Sequence, residues 1–344
     1  MKDLKYLLAY LIPITSVLAI NLQGAWSYST VIFAFGILPL FDQFLPSSKE
    51  KYSTEEKSSR LKNKLFDWLL YLNLPLLYAI VFYHLNTLAT ADLSNSEYTG
   101  LILSVGIVIG ACGINVGHEL GHRTNKKENW IAKLLLLPAL YMHFFIEHNR
   151  GHHKHVATPK DPATARKNEI LYVFWFRSVI GSYLNAWKLE KNRLQRANES
   201  FWSLKNDMLV FHLIQIAYLV IIALIWNVEI MLWAVVTGAV GFLLLETINY
   251  IEHYGLLRKK MESGKYERVR PIHSWNANYQ LGRIMLYELT RHSDHHFLAS
   301  KKYQILDHKE EAKQLPLGYP ASMLMAMVPP LWFGVMNRRL EKME

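Results

Sequence analysis

Apolar residues along this chain gather in long blocks separated by short polar stretches. Blocks at about 4–22, 26–45, 65–86, 99–117, 208–226 and 230–251 reach or approach the roughly 20 residues a helix needs to cross a hydrocarbon core. From Met208 to Leu257 there is no Lys or Arg, and Trp226-Asn227-Val228-Glu229 divides that stretch into two helices joined by a tight turn. The pattern predicts an all-α integral membrane bundle of six transmembrane helices, a single membrane-embedded domain over 1–344, with segments 118–207 and 252–344 forming a helical cap on one face.

Shorter blocks read differently. "LLLLPALYMHFF" (134–145) is apolar but too short to span, which predicts a helix that dips into the membrane and returns. "ASMLMAMVPPLWFGVM" is broken by Pro329-Pro330 and is expected to pack at the interface. No small-x-small cleavage pattern follows the first block, and Pro13 is tolerable in a membrane helix, so a retained first helix is expected.

Loop charge orients the bundle. "SSKEKYSTEEKSSRLKNK" carries Lys49, Lys51, Lys57, Arg60, Lys62 and Lys64, whereas "NTLATADLSNSEYTG" has no basic residue. The positive-inside rule makes the first loop cytoplasmic, and with it both termini and everything after His118 and after His253. A multi-pass protein of the cell (inner) membrane is expected, with Trp26 and Trp226 at interfacial height on the far side. The net charge of +10 is mostly cytoplasmic loop, which fits topology and anionic lipid better than nucleic acid, for which no motif is present. Cys112 is the only cysteine, which excludes disulfides and cysteine-based metal sites.

Candidate chemistry lies in the histidines. Of fifteen, nine fall in four groups: "HELGH" (His118, His122), "EHNRGHH" (His148, His152, His153), "NYIEHYG" (His253) and "RHSDHH" (His292, His295, His296). Residues three or four apart share a helix face, so the pairs 118/122, 148/152, 292/295 and 292/296 are each expected to aim two imidazoles at one point. His118 ends the fourth block and His253 the sixth, so all nine can meet at the cytoplasmic boundary. "HELGH" alone fits a zinc protease, but such a site takes three protein ligands and leaves six imidazoles unused. Nine nitrogens are too many for one ion; two metals with four or five imidazoles each is the natural division, and imidazole suits iron, copper, zinc and nickel alike. Glu119, Glu147, Glu252 and Asp294 lie within a residue of a candidate ligand, and Asp161 follows the second group. Such carboxylates can hold the second ring N–H of a ligand. Ordinary salt bridges at a basic interface are the competing role for each.

In this order, among six spans, "HELGH", "EHNRGHH", "NYIEHYGL" and "RHSDHH" resemble the integral-membrane alkane monooxygenases, within a superfamily that includes membrane fatty-acid desaturases and hydroxylases. The likeness runs over roughly 110–310, with "NYIEHYGL" and "HSDHH" its discriminating parts; Arg123 and Thr290 stand where the family more often has Lys and Gln. The resemblance implies two iron ions, O2 as co-substrate, and oxygen insertion at the end of medium-chain to long-chain n-alkanes to give primary alcohols. It implies electrons from NAD(P)H by way of rubredoxin reductase and rubredoxin, and it carries iron ligation to His118, His122, His148, His152, His153, His253, His292, His295 and His296. A desaturase or lipid hydroxylase of the same superfamily, and a membrane metal transporter, are the alternatives.

An alkane has no polar handle, so an apolar channel from the lipid is expected, and "FAFG" at 33–36, Phe35 in particular, is a candidate for limiting chain length. Lys154, Lys160, Arg166, Lys167 and Lys188 offer a basic face to an acidic redox protein. His84 and His212 sit inside spans, remote from the groups; His143 and His155 flank the second group, and His273 reads as a supporting residue.

Overall fold

A computed structural model describes residues 2–342 and turns the apolar blocks into helices. Six are long and apolar enough to cross a membrane: Asp3–Leu22, Gly24–Phe44, Leu65–Thr90, Asn95–Gly121, Asp207–Ile225 and Val228–His253. Each coincides with one expected block. The fourth and sixth run further than hydropathy suggests because their polar ends, His118-Glu119 and Glu252-His253, stay buried against the cap and remain helical there.

The fourth span is the hub, 83% buried, whereas the fifth is 17% buried and turns Leu213, Ile216 and Leu224 outward. Between apolar helices in lipid, close backbone approach supplies the packing. A Cβ at Gly241 would stand 2.6 Å from Ile109 Cγ2, so the sixth span crosses the fourth where no side chain fits. A Cβ at Gly117 would lie 3.1 Å from the Ala132 carbonyl, which seats the helix Lys126–Leu136 against the end of the fourth span.

The 134–145 block is not one dipping helix but the last three residues of that helix, a run of turns and the start of the short helix Phe144–Glu147, with Leu135, Leu136, Ala139 and Met142 buried in protein. The C-terminal block is two helices, Tyr319–Ala326 and Pro329–Glu341, bent by 117° ahead of Pro329-Pro330, where proline suits a helix start. In the cap, Leu171–Arg196 buries a stripe at every fourth residue, Phe174, Ser178, Ser182, Ala186, Glu190 and Leu194, and lies along the bundle on that face. A two-residue parallel pairing of Trp275–Asn276 with Lys313–Gln314 is short, but Asn276 uses it as an anchor: its side chain bonds Ser293 Oγ at 2.7 Å and Ser293 N at 2.8 Å, holding the helix His292–Phe297 in place.

Candidate metal centre

Four elements deliver imidazoles to one place. The fourth span ends in His118 and His122, the sixth in His253, the segment after Phe144–Glu147 carries His148, His152 and His153, and His292–Phe297 carries the last three. The rings form two groups: His118, His122, His148, His153 and His295, and beside them His152, His253, His292 and His296. All nine predicted residues therefore converge, five and four. The expected pairing holds for 118/122 and 292/296 but not for 148/152 or 292/295. His148–His152 is a π turn, in which residues five apart share a face, so His148 joins His153 and His152 points to the other group. On His292–Phe297, His295 faces the first group and His292 and His296 the second.

Within the first group, Nε2 atoms lie 3.0 Å apart for His118 and His295, 3.1 Å for His122 and His148, 3.0 Å for His148 and His153, and 3.1 Å for His153 and His295. In the second they lie 3.2 Å apart for His152 and His296, 2.8 Å for His292 and His296, and 3.1 Å for His253 and His292. A neutral imidazole has one N–H and one lone pair, so when all the rings of a group present the Nε2 lone pair, nothing but a cation can satisfy them together. A cation at the centre of each group resolves that. An ion about 2.1 Å from each nitrogen holds neighbours about 3.0 Å apart when ligands meet at right angles and about 3.4 Å apart in a tetrahedron. The observed spacings, 2.8 to 3.2 Å between neighbouring nitrogens, fit groups that would each share one ion.

Electrostatics agree. Burial, and then the neighbouring imidazoles, push His148, His153, His292 and His296 well below the ordinary histidine range, and burial takes His295 down to about 3. These rings offer lone pairs at neutral pH with no proton for a metal to displace. His152 differs: burial alone would lower it, but Asp161, 2.9 Å from its Nδ1, draws it above the ordinary value.

The five carboxylates divide. Asp161 grips the back of His152 and accepts from Thr164 Oγ1 at 2.6 Å. Glu252 faces the front of a ring, with Oε2 3.2 Å from His292 Nε2, while its Oε1 accepts from Tyr319 at 2.7 Å. Glu147 accepts from Asn185 Nδ2 at 3.1 Å and bonds no imidazole. Glu119 pairs with Arg123 Nη2 at 2.8 Å and accepts from Tyr303 N at 3.2 Å. Asp294 binds Lys301, Lys309 and the Asp307 amide, bracing the loop after the last group. Salt bridging claims Glu119 and Asp294, and among the described residues Nδ1 of His253, His292 and His296 has no hydrogen-bond partner. His273 bonds the Arg270 amide at 3.0 Å and stands 3.4 Å from Glu267, bracing its own loop.

Against both groups lies a narrow apolar cavity of about 90 Å³. His118, His148, His292 and Glu252 line it together with Ile12, Ala34, Phe35 and Leu38 of the first two spans. Tyr319 closes the wall beside Glu252; 67 positions separate them, and nothing in the local sequence announces the contact.

The family model described as fatty acid desaturase matches residues 97–323. The chain is 38% identical over 344 residues to "Alkane 1-monooxygenase" of Ectopseudomonas oleovorans, covering 98% of this chain and 86% of that protein. It is 39% identical over 306 residues to "Alkane 1-monooxygenase" of Pseudomonas putida, covering 89% and 76%. It is 27% identical over 349 residues to "Xylene/toluene monooxygenase hydroxylase component XylM" of Pseudomonas putida, covering 98% and 89%.

Proposed function

The chain belongs to the alkane 1-monooxygenases within the fatty acid desaturase family, and from that membership we propose that it hydroxylates the terminal carbon of medium-chain to long-chain n-alkanes to primary alcohols. It is a multi-pass membrane oxidoreductase. The observation that carries the reading is the apolar cavity that ends on both imidazole groups.

The nine histidines are the ligands of two iron ions, five on one and four on the other, a division the two groups support. Iron bound there would supply O2 activation. Everything else falls to the chain. Carbon walls at Ile107, Ile114, Leu244 and Ile248 exclude water and give an alkane no polar anchor but one narrow path, so its end arrives first at His118, His148 and His292. Asp161 keeps the His152 ring oriented with Nε2 forward. Tyr319 fixes the Glu252 carboxyl, among the described residues the one acidic group beside both cavity and ligands, so that Oε2 points at the His292 front edge.

Electrons come from NAD(P)H through rubredoxin reductase and rubredoxin. Exposed Lys154, Lys160, Arg166, Lys167 and Lys188, on the segments that follow the second histidine group, support docking of an acidic redox protein there. The basic 47–64 loop supports an inner-membrane topology with cytoplasmic termini and cap, and the continuous helical packing supports one domain over 1–344. Product analysis by mass spectrometry tests the reading, using iron-loaded protein with rubredoxin, its reductase, NADH, alkanes and fatty acyl substrates. Primary alcohols from alkanes are expected. Modified acyl chains beside untouched alkanes would move the protein to desaturation or lipid hydroxylation, and a protein that retains no iron would return it to transport.

A further inference from the structure

Two tyrosines outside the metal groups, Tyr141 buried and Tyr183 half-buried, each face a base. Tyr141 donates to Glu246 Oε1 at 2.8 Å. Tyr183 stands 2.9 Å from His212 Nε2, and His212 Nδ1 stands 2.6 Å from the Met208 carbonyl, which can only accept. His212 therefore carries its proton on Nδ1, and Tyr183 is the donor to Nε2. Glu246 is 2% exposed with no cationic partner among the described residues. Neither base serves the proposed ligands.

The same tyrosines stand in an unbroken series of rings. From His148, Phe144 is stacked at 4.7 Å and Tyr141 follows at 6.3 Å. His143 bridges Tyr141 at 4.3 Å and Tyr183 at 5.4 Å. Trp187 lies 6.5 Å from Tyr183 and stacks on His212 at 5.3 Å. Phe201 is 5.8 Å from Trp187, and Trp202, 5.1 Å from Phe201, is 81% exposed.

We propose that Tyr141, Tyr183, Trp187 and Trp202 form a hole-transfer line that carries an oxidising equivalent from the metal centre to the protein surface when O2 is reduced with no alkane in the cavity. The inference rests on the di-iron oxygenase reading. Tyr141 gives one electron to the oxidised centre while its O–H bond breaks and the proton passes to Glu246. Tyr183 then gives one electron to the Tyr141 radical, which takes its proton back from Glu246, and the Tyr183 proton passes to His212. Trp187 refills Tyr183, with return of the His212 proton, and Trp202 refills Trp187. A soluble one-electron donor of the thiol or ascorbate class reduces the surface indole. Direction follows from solvation: a tyrosine buried in apolar surroundings is oxidised without net charge only because a base receives its proton, whereas a cationic indole is stabilised where water reaches it.

The test is a single turnover. Iron-loaded, pre-reduced protein is mixed with O2 in the absence of alkane; O2 uptake, organic radical signals by freeze-quench EPR and tryptophan oxidation by peptide mass spectrometry are followed. The expected result is a protein radical and oxidation concentrated at Trp202, with Trp26 and Trp68, which are 62% and 60% exposed, unmarked. Tyr183→Phe and Trp187→Phe should each lose the Trp202 mark, lose activity after fewer alkane-free cycles, and keep the wild-type initial rate on alkane. Even marking of Trp26, Trp68 and Trp202 would mean a diffusible oxidant and overturn the line, as would a Trp202 mark unchanged in both variants. O2 uptake without any protein radical also overturns it while leaving the oxygenase reading intact. No O2 uptake by iron-loaded wild type would sink both.

Discussion

His148 and His153 face each other with Nε2 atoms 3.0 Å apart across five positions of chain, and the π turn between them sends His152 to the opposite group. One local departure from α-helical geometry thus lets a single segment serve two ions. A regular helix would put 148 and 152 on one face and turn 153 away.

The division predicts separable metal losses. His118→Ala or His295→Ala should empty the five-histidine site, and His152→Ala or His253→Ala the four-histidine site, each dropping bound iron from about two toward one per chain and abolishing alkane oxidation. Iron content after purification, read beside product formation, checks it. Full activity in any of these variants would remove that residue from the ligand set.

Much of this centre is legible in the sequence, for a physical reason. Spans are read from hydropathy because lipid demands it, and 118/122 and 292/296 are read from helical spacing because those stretches are α-helical. His152 misleads because a π turn leaves no mark in residue type. Asp294 misleads because Lys301 and Lys309, distant from the histidine pattern, fold back to claim its carboxylate. The His212 base for Tyr183 is equally invisible, since it depends on two helices meeting side by side.

Asp161→Asn keeps the size of the side chain and removes the charge that orients His152. Removing such a partner typically costs about 10–100-fold in metal affinity. Iron titration of the apo variant should show one site weakened by that order and the other unchanged. Equal affinity at both sites would leave Asp161 a purely structural residue.

Phe35, on the second span, lines the cavity that also reaches His118, His148 and His292. Phe35→Ala should lengthen the space open to the alkane tail and move the product profile toward longer alcohols, read from a mixed n-alkane series by mass spectrometry. An unchanged profile would put the length limit elsewhere.

Glu288 ties the last histidine group to the body of the cap, with Oε2 2.7 Å from Arg283 Nε and 3.4 Å from Arg291, and with Tyr6 donating to Oε1 at 2.7 Å. Burial alone would raise its pKa, but the Arg283 and Arg291 charges hold it below the ordinary carboxylate value. A depressed pKa stabilises the fold above the unfolded value of about 4.3, and the contribution is lost as pH falls through the lower folded value. Removing one partner of a buried pair costs about 3–5 kcal/mol, so Glu288→Ala should lower the melting temperature in detergent and flatten the acid limb of the stability profile. A variant with wild-type melting and the same acid limb would contradict the assignment.

The basic face beside the second histidine group makes a kinetic prediction. Charges at the rim of a docking surface act through the encounter rate, by long-range attraction that salt screens over about 10 Å at 0.1 M. Lys154 and Lys160 are both exposed, one and seven positions after His153. Reversing them together, Lys154→Glu with Lys160→Glu, should slow electron delivery from reduced rubredoxin on the order of tenfold at low ionic strength. The turnover rate at saturating rubredoxin should hold, because neither residue lines the cavity. Stopped-flow rates across a salt series distinguish the cases: the variant and wild type should converge as salt rises. Identical rates at low salt would move the docking face away from this segment, leaving its positive charge to membrane topology alone.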